Sequence, residues 1–291
     1  MPIYVNFWGT RGSIPTPGDR TRKYGGNTSC VEIRRGSHLF ICDAGSGIRE
    51  LGADLLTRGN GPITGHLLFS HMHWDHIQGF PFFGPADVKG NRFLIYGIRK
   101  GDDRFFELLS GQMKSDYFPI GFGALRADIV ADHLDDGRRE IGEMFVESFP
   151  LNHPGGSLGY AFSHGGRKIV YATDNEIQTD PDPTGADSPG PRRMVNTALV
   201  DFVRNADLLI ADGQFTDAEY ATKKGWGHTS CLTAVDLALA ANVRQLAIFH
   251  HDPSHADRFV DDLIESCRSR VSRLGGNLIV FAAREGMELE F

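Results

Sequence analysis

The sequence predicts an α+β fold in four layers, two β-sheets face to face with helices outside them (αββα). Strand-like stretches recur in both halves of the chain, and each half ends in strand–helix alternation. No linker long enough to divide the 291 residues interrupts them, so a single domain over residues 1–291 is expected.

Taken in order, residues 3–8, 29–34 and 37–42 read as strands, the first two separated by a Gly-, Pro- and Thr-rich loop. Residues 45–56 read as a helix, and 61–70 as an apolar strand that delivers a histidine-rich segment at its carboxyl end. Open α/β sheets place chemistry at such ends. A strand at 93–96, a helix at 104–112 and a strand at 127–131 follow, then strands at 144–149, 157–163 and 168–173. Residues 179–191 form a Pro/Gly/Asp loop, the segment expected to be most mobile. Helices at 193–205, 231–241 and 257–273 alternate with strands at 208–211, 245–249 and 277–282.

A formal charge of −7 with no basic stripe argues against a large nucleic-acid footprint and leaves room for a small anionic substrate. Cys30, Cys42, Cys231 and Cys267 are far apart and form no C-x-x-C pair, which suits reduced, buried thiols. No basic n-region opens the sequence, and no run approaches the ~20 apolar residues that a bilayer demands. A cytoplasmic protein without a membrane partner is the expectation.

The strongest signal is Ser70-His71-Met72-His73-Trp74-Asp75-His76. Three imidazoles and a carboxylate in six residues each bring polar atoms that need partners, so packing alone explains them poorly. On extended backbone His71 and His73 point the same way, while Asp75 and His76 turn at the head of a helix. Such N and O donors suit zinc, or manganese or iron. His153, Asp174 and His250 each follow a strand end and could converge on the same sheet edge. Asp174 is the natural carboxylate bridge between two cations.

These residues resemble the metallo-β-lactamase superfamily, whose signature is H-x-H-x-D-H followed by a distant His, Asp and His. Within it the chain is similar to the ribonuclease Z branch and its small-substrate relatives, the cyclic-nucleotide phosphodiesterases. Phe7-Trp8-Gly9-Thr10-Arg11-Gly12-Ser13-Ile14-Pro15 with Asn27-Thr28-Ser29 resembles that branch's F-L-G-T-x-x-x-x-P … N-x-S opening, and Asp43 its D-C-G or D-A-G turn. Residues 206–215 resemble A-D-L-L-I-H-E-A-T-F, with Asp212 in the place of Glu, and Gly227-His228-Thr229-Ser230 resembles G-H-S-T. The resemblance implies two metal ions, one on His71, His73, His153 and Asp174, the other on Asp75, His76, Asp174 and His250. His251 is a second candidate for the last ligand, and the spacing from His228 favours His250.

The implied reaction is phosphodiester hydrolysis by a hydroxide held between the two cations. Asp75 would orient or deprotonate the nucleophile, and His228, held by Asp212, would protonate the departing alkoxide. Ribonuclease Z proper grips tRNA with a Gly-rich arm between the positions of His153 and Asp174. Here twenty residues separate them, too few for such an arm. The expected substrate is therefore small, a 3′,5′-cyclic nucleotide first, then a phosphoribosyl cyclic phosphate, with tRNA 3′ endonuclease activity as an alternative. Arg11 could reach phosphate, and Phe82, Phe83, Phe105, Phe106, Tyr117 and Phe118 could shape a pocket over a base. Burial is the commoner fate of any one of these rings, and Tyr117-Phe118 is the better stacking pair. Rival classes are a carbonyl hydrolase (β-lactamase, thioesterase or lactonase) and a nucleotide-binding protein without turnover. Relatives of this branch often pair, which implies a homodimer.

Overall fold

The computed structural model describes residues 1–59, 61–97, 104–134, 137–177, 179, 193 and 195–291. In chain order the elements are β1 (Tyr4–Gly9), β2 (Cys30–Arg35), β3 (His38–Cys42), α1 (Ile48–Thr57), β4 (Thr64–Leu68), α2 (Trp74–Ile77), β5 (Arg92–Tyr96), α3 (Arg104–Gly111) and β6 (Asp128–Ala131). Then come β7 (Arg138–Ile141), β8 (Met144–Leu151), β9 (Ser157–His164), β10 (Arg167–Ala172), α4 (Thr197–Val203), β11 (Leu208–Asp212), α5 (Asp217–Thr222) and α6 (Cys231–Ala240). The chain closes with β12 (Gln245–Phe249), α7 (Asp257–Arg273), β13 (Ile279–Ala282) and β14 (Glu288–Glu290). The loop expected at 179–191 lies almost wholly outside the described residues.

Two compact units share these elements, Met1–Gly137 with Arg284–Phe291, and Arg138–Ala283. Among the described residues each is built on a seven-stranded sheet, ordered β14-β1-β2-β3-β4-β5-β6 in the first and β13-β12-β11-β10-β9-β8-β7 in the second. Both sheets change mode partway across. Strands β14 to β3 and β7 to β10 pair antiparallel, whereas β3 to β6 and β10 to β13 pair parallel. The switch strand in each sheet, β3 and β10, is followed within two residues by an aspartate in the left-handed region, Asp43 (φ 61°) and Asp174 (φ 52°). A crevice at the carboxyl ends of parallel strands is where such sheets bind ligands.

Apolar patterning explains the packing. In β11 (Leu-Leu-Ile-Ala-Asp) every residue is buried, as a central parallel strand covered on both faces requires. Along α7 the buried Val260, Leu263, Ile264, Cys267 and Val271 recur at the three- and four-residue spacing of one helix face. That face packs on α6 and β13. Helix α6 is apolar nearly all round and is capped by the Ser230 hydroxyl, which accepts from the Thr233 amide. It buries one carboxylate, Asp236, which the Arg270 guanidinium of α7 meets through Nε at 3.0 Å and Nη2 at 2.7 Å. In the first unit, residues of α1, β3, β4, β5 and α3 form one apolar core around Ile41, Leu51, Phe69, Phe93 and Leu109.

The strands β7 and β14 and the helix α5 were not expected from the sequence. Both strands are sheet edges, Arg-Arg-Glu-Ile and Glu-Leu-Glu, whose charged residues discourage further pairing and erase the apolar signal. The helix read at 193–205 is shorter, α4 beginning at Thr197 after an Asn196 cap. Among the described residues no helix is long and apolar enough to cross a membrane.

Candidate metal centre

In the first unit the histidine-rich segment leaves β4 and turns into α2 with His73 as N-cap. The Asp43 carboxylate organises it. It accepts from the Ser70 amide at 2.7 Å and the Ser70 hydroxyl at 2.8 Å, and it takes the Nδ1 proton of His76 at 2.8 Å. Anchoring Nδ1 makes Nε2 the lone-pair atom of that ring, the arrangement a metal-binding imidazole needs. The His71 ring lies close by, edge-on to His73 with centroids 4.4 Å apart and tilted 49° against His76 at 4.3 Å. Asp75 Oδ2 lies 3.3 Å from His76 Nε2 and accepts from the Ser13 amide at 2.7 Å. The turn holding Asp75 closes tightly over Gly45, where a Cβ would stand 2.4 Å from the Asp75 carbonyl oxygen. His71, Asp75 and His76 are buried, and His73 is exposed.

In the second unit four strand ends deliver the remaining candidates. His153 follows β8 and donates from Nδ1 to the Gly227 carbonyl at 2.9 Å, with Nε2 3.7 Å from Asp174 Oδ2. Asp174 accepts from the Thr173 hydroxyl at 2.9 Å and lies 3.3 Å from His250 Nε2. His250 follows β12 with φ 61° and bonds Gln214 Oε1 through Nδ1 at 3.1 Å. A left-handed histidine costs on the order of 1–3 kcal/mol, a strain that clusters at functional sites. His251 is turned the other way, donating from Nε2 to the Ala283 carbonyl at 2.9 Å. Asp212 ends β11, and its Oδ2 stands 2.6 Å from His228 Nδ1. The His228 and His250 rings stack at 4.9 Å with 20° between their planes. Ligand atoms of Asp174, Asp212, His228 and His250 all lie within 4.8 Å of one another.

Three of the predicted ligand histidines, His76, His153 and His250, are thus anchored the same way, Nδ1 on an oxygen acceptor and Nε2 presented. This, with carboxylates at Asp75 and Asp174, fits divalent cations with N and O preference.

Some partners have no sequence signal. Asp43 was legible as a turn, not as the residue that orients His76. Gln214 stood within the 206–215 motif without an assigned role, and Glu176 belonged to no motif. Glu176 accepts from the Tyr220 hydroxyl (2.9 Å), the Gly225 amide (2.9 Å) and the Gly227 amide (3.0 Å). Burial raises its carboxyl, but these donors hold it below the usual range. Tyr220 is pushed up to about 12 by burial and by Glu176. Gly227, at φ 87°, could carry no side chain, since a Cβ would lie 2.2 Å from His153 Nδ1.

Other expectations resolve differently. Arg11, expected as a reach to phosphate, is fully buried and donates from Nε to the Gly25 carbonyl at 2.8 Å, a structural role. Of the aromatic set, Phe83 and Phe105 are core residues, whereas Phe82 and Tyr117 are exposed. Phe82 meets Phe118 edge to face at 5.3 Å. All four cysteines are buried and none is paired.

Two sheets with helices packed on them and strand ends that carry histidines and aspartates define a metallohydrolase class, and comparison with known proteins agrees. Residues 38–251 match the model of the β-lactamase superfamily domain, and the chain belongs to that family. The ribonuclease Z of Natronomonas pharaonis is 26% identical over 304 aligned residues, covering 90% of this chain and 93% of that protein. That of Methanosarcina acetivorans is 27% identical over 330, covering 99% and 98%. Among solved structures, the metallo-β-lactamase fold protein YhfI from Bacillus subtilis superposes with a TM-score of 0.70 at 20% identity, covering 100% of this chain and 99% of that one. The fold is the metallo-β-lactamase fold, as the sequence predicted, and the protein is a metal-dependent hydrolase.

Proposed function

We propose that the protein hydrolyses phosphodiesters with two divalent cations, one held by His71, His73, His153 and Asp174 and the other by Asp75, His76, Asp174 and His250. Zinc suits this donor set best, with manganese or iron as substitutes. When bound, the pair supplies positive charge for a phosphate oxygen and lowers the pKa of water. The chain's own residues do the rest. His228, oriented by Asp212 at 2.6 Å, delivers a proton from Nε2 to the leaving oxygen. Asp75, its carboxylate fixed by the Ser13 amide, orients the attacking water.

The Asp212–His228 pair, stacked on His250, is the observation that carries this reading. A phosphodiester releases a basic alkoxide that needs a proton, and a thioester releases a thiolate that does not. The substrate we favour is small, a 3′,5′-cyclic nucleotide. Its support is the short hairpin of β9 and β10, turned by Gly165-Gly166, where the ribonuclease Z branch carries its arm, together with the net charge of −7. A second reading, endonucleolytic cleavage of precursor tRNA, is favoured by the name of the curated relatives. One catalytic domain spanning residues 1–291 is part of the proposal. A cytoplasmic setting fits the unpaired buried thiols. A homodimer rests on the resemblance alone.

Metal-loaded protein assayed on purine and pyrimidine 3′,5′-cyclic nucleotides, a phosphoribosyl cyclic phosphate, precursor tRNA, nitrocefin and an acyl-thioester tests this. Turnover of the cyclic nucleotides is expected. Cleavage of precursor tRNA alone would replace it with the second reading, and turnover of nitrocefin or the thioester alone would end the phosphodiesterase reading.

A further inference from the structure

We propose that Trp226 is a stacking platform for a nucleobase of the substrate, an inference that rests on the phosphodiesterase reading and specifies what that site recognises. Trp226 is 61% exposed and lies two residues before His228. Isolated exposed aromatics are ordinary. What sets this one apart is how firmly its backbone is held. The Glu176 carboxylate accepts from the amides on both sides of it, Gly225 at 2.9 Å and Gly227 at 3.0 Å, and the Trp226 amide itself donates to the Lys223 carbonyl at 3.2 Å. Gly225 (φ 85°) and Gly227 (φ 87°) occupy backbone conformations that permit this tight loop. Gly227 in turn accepts from His153. The indole is therefore carried on a clamped loop that also carries the proton donor and touches a predicted ligand.

The surroundings fit a nucleotide. Lys223 Nζ sits 4.2 Å over the Phe215 ring and 6.0 Å from the Trp226 ring, its charge shared with Asp252 Oδ2 at 3.5 Å, and Lys224 beside it is exposed. The loop Lys223-Lys224-Gly225-Trp226-Gly227-His228 thus joins basic groups, a flat π face and an imidazole within six residues of an otherwise acidic chain. A base offers a π face on either side, and stacking on an indole tolerates any base. A clamped backbone matters because only the two side-chain torsions of the indole are then left to order on binding.

Binding of adenosine 5′-monophosphate and of ribose 5-phosphate to the metal-loaded protein, measured by calorimetry, tests the platform, since the two probes share the sugar phosphate and differ at C1, adenine in one and a hydroxyl in the other. Wild type should bind the nucleotide about tenfold more tightly, the order that one base–aromatic stack supplies. Trp226→Ala should remove most of that ratio and Trp226→Phe should keep much of it, with unfolding midpoints confirming that both variants fold. An absent preference in wild type, or a ratio unchanged in Trp226→Ala, overturns the proposal. Cyclic-nucleotide hydrolysis run alongside keeps the two claims apart. An active wild type whose binding ratio ignores Trp226 loses the platform and keeps the phosphodiesterase. A wild type inactive on cyclic nucleotides with a Trp226-dependent ratio keeps the platform and loses the cyclic-nucleotide reading.

Discussion

His228→Ala lowers turnover of a phosphodiester by about 10²–10⁴-fold while the bound metal stays at the wild-type level. The prediction follows from the division of labour at the second unit's strand ends. His228 has Nδ1 committed to Asp212 at 2.6 Å and stacks flat on His250, so it stands beside the candidate ligands without being assigned to a cation. Removing it takes away a proton needed only when the leaving oxygen departs. Loss of a transition-state interaction lowers kcat and kcat/KM together and leaves KM nearly unchanged. Asp212→Asn should reproduce much of the loss, because an amide in that place no longer stabilises the imidazolium or enforces its tautomer. Metal analysis beside steady-state kinetics checks both variants. Wild-type turnover in His228→Ala, or loss of metal with the activity, would remove the proton-donor assignment.

Asp236→Ala destabilises the protein by about 3–5 kcal/mol, the usual cost of stripping one partner from a buried ion pair. Asp236 is fully buried on α6 and Arg270 nearly so on α7, and the two meet in a fork of 3.0 and 2.7 Å. The Arg193 amide also donates to Asp236 at 3.1 Å, and its guanidinium bonds Asp217, Ser230 and Thr233. Deleting the carboxylate leaves a buried guanidinium with its charge uncompensated. Replacing both partners, Asp236→Leu with Arg270→Met, should cost much less, since an apolar pair avoids that penalty. Urea denaturation midpoints of the two variants decide it. A single variant as stable as wild type would show the pair to be dispensable.

Much of this architecture could be read from local pattern. The carboxyl ends of β4, β8, β10 and β12 were correctly expected to deliver His71, His153, Asp174 and His250, because short apolar runs ending in a lone polar residue mark where a strand leaves the core. Helix α7 was legible to its last turn through its apolar spacing. Helix α5 does carry a trace in the sequence, since Thr216 and Glu219 form a capping box in both directions. What stayed hidden depends on contacts distant in sequence. Asp43 and His76 are 33 residues apart, Glu176 and Gly225 are 49 apart, and neither pairing follows from spacing on one element. Arg11 departs from its expected role for the opposite reason. Its place in a Gly-rich loop suggests exposure, yet the loop folds back so that the Gly25 carbonyl takes its Nε proton in the interior.

Metal analysis of the purified, zinc-loaded and dialysed protein is the most direct test of the central claim, that these imidazoles and carboxylates exist to hold cations. Two divalent ions per chain are predicted for wild type, with a substantial loss in Asp174→Ala, whose carboxylate is assigned to both. A folded wild-type protein that retains no divalent metal, or an Asp174→Ala variant that retains both ions, would contradict it.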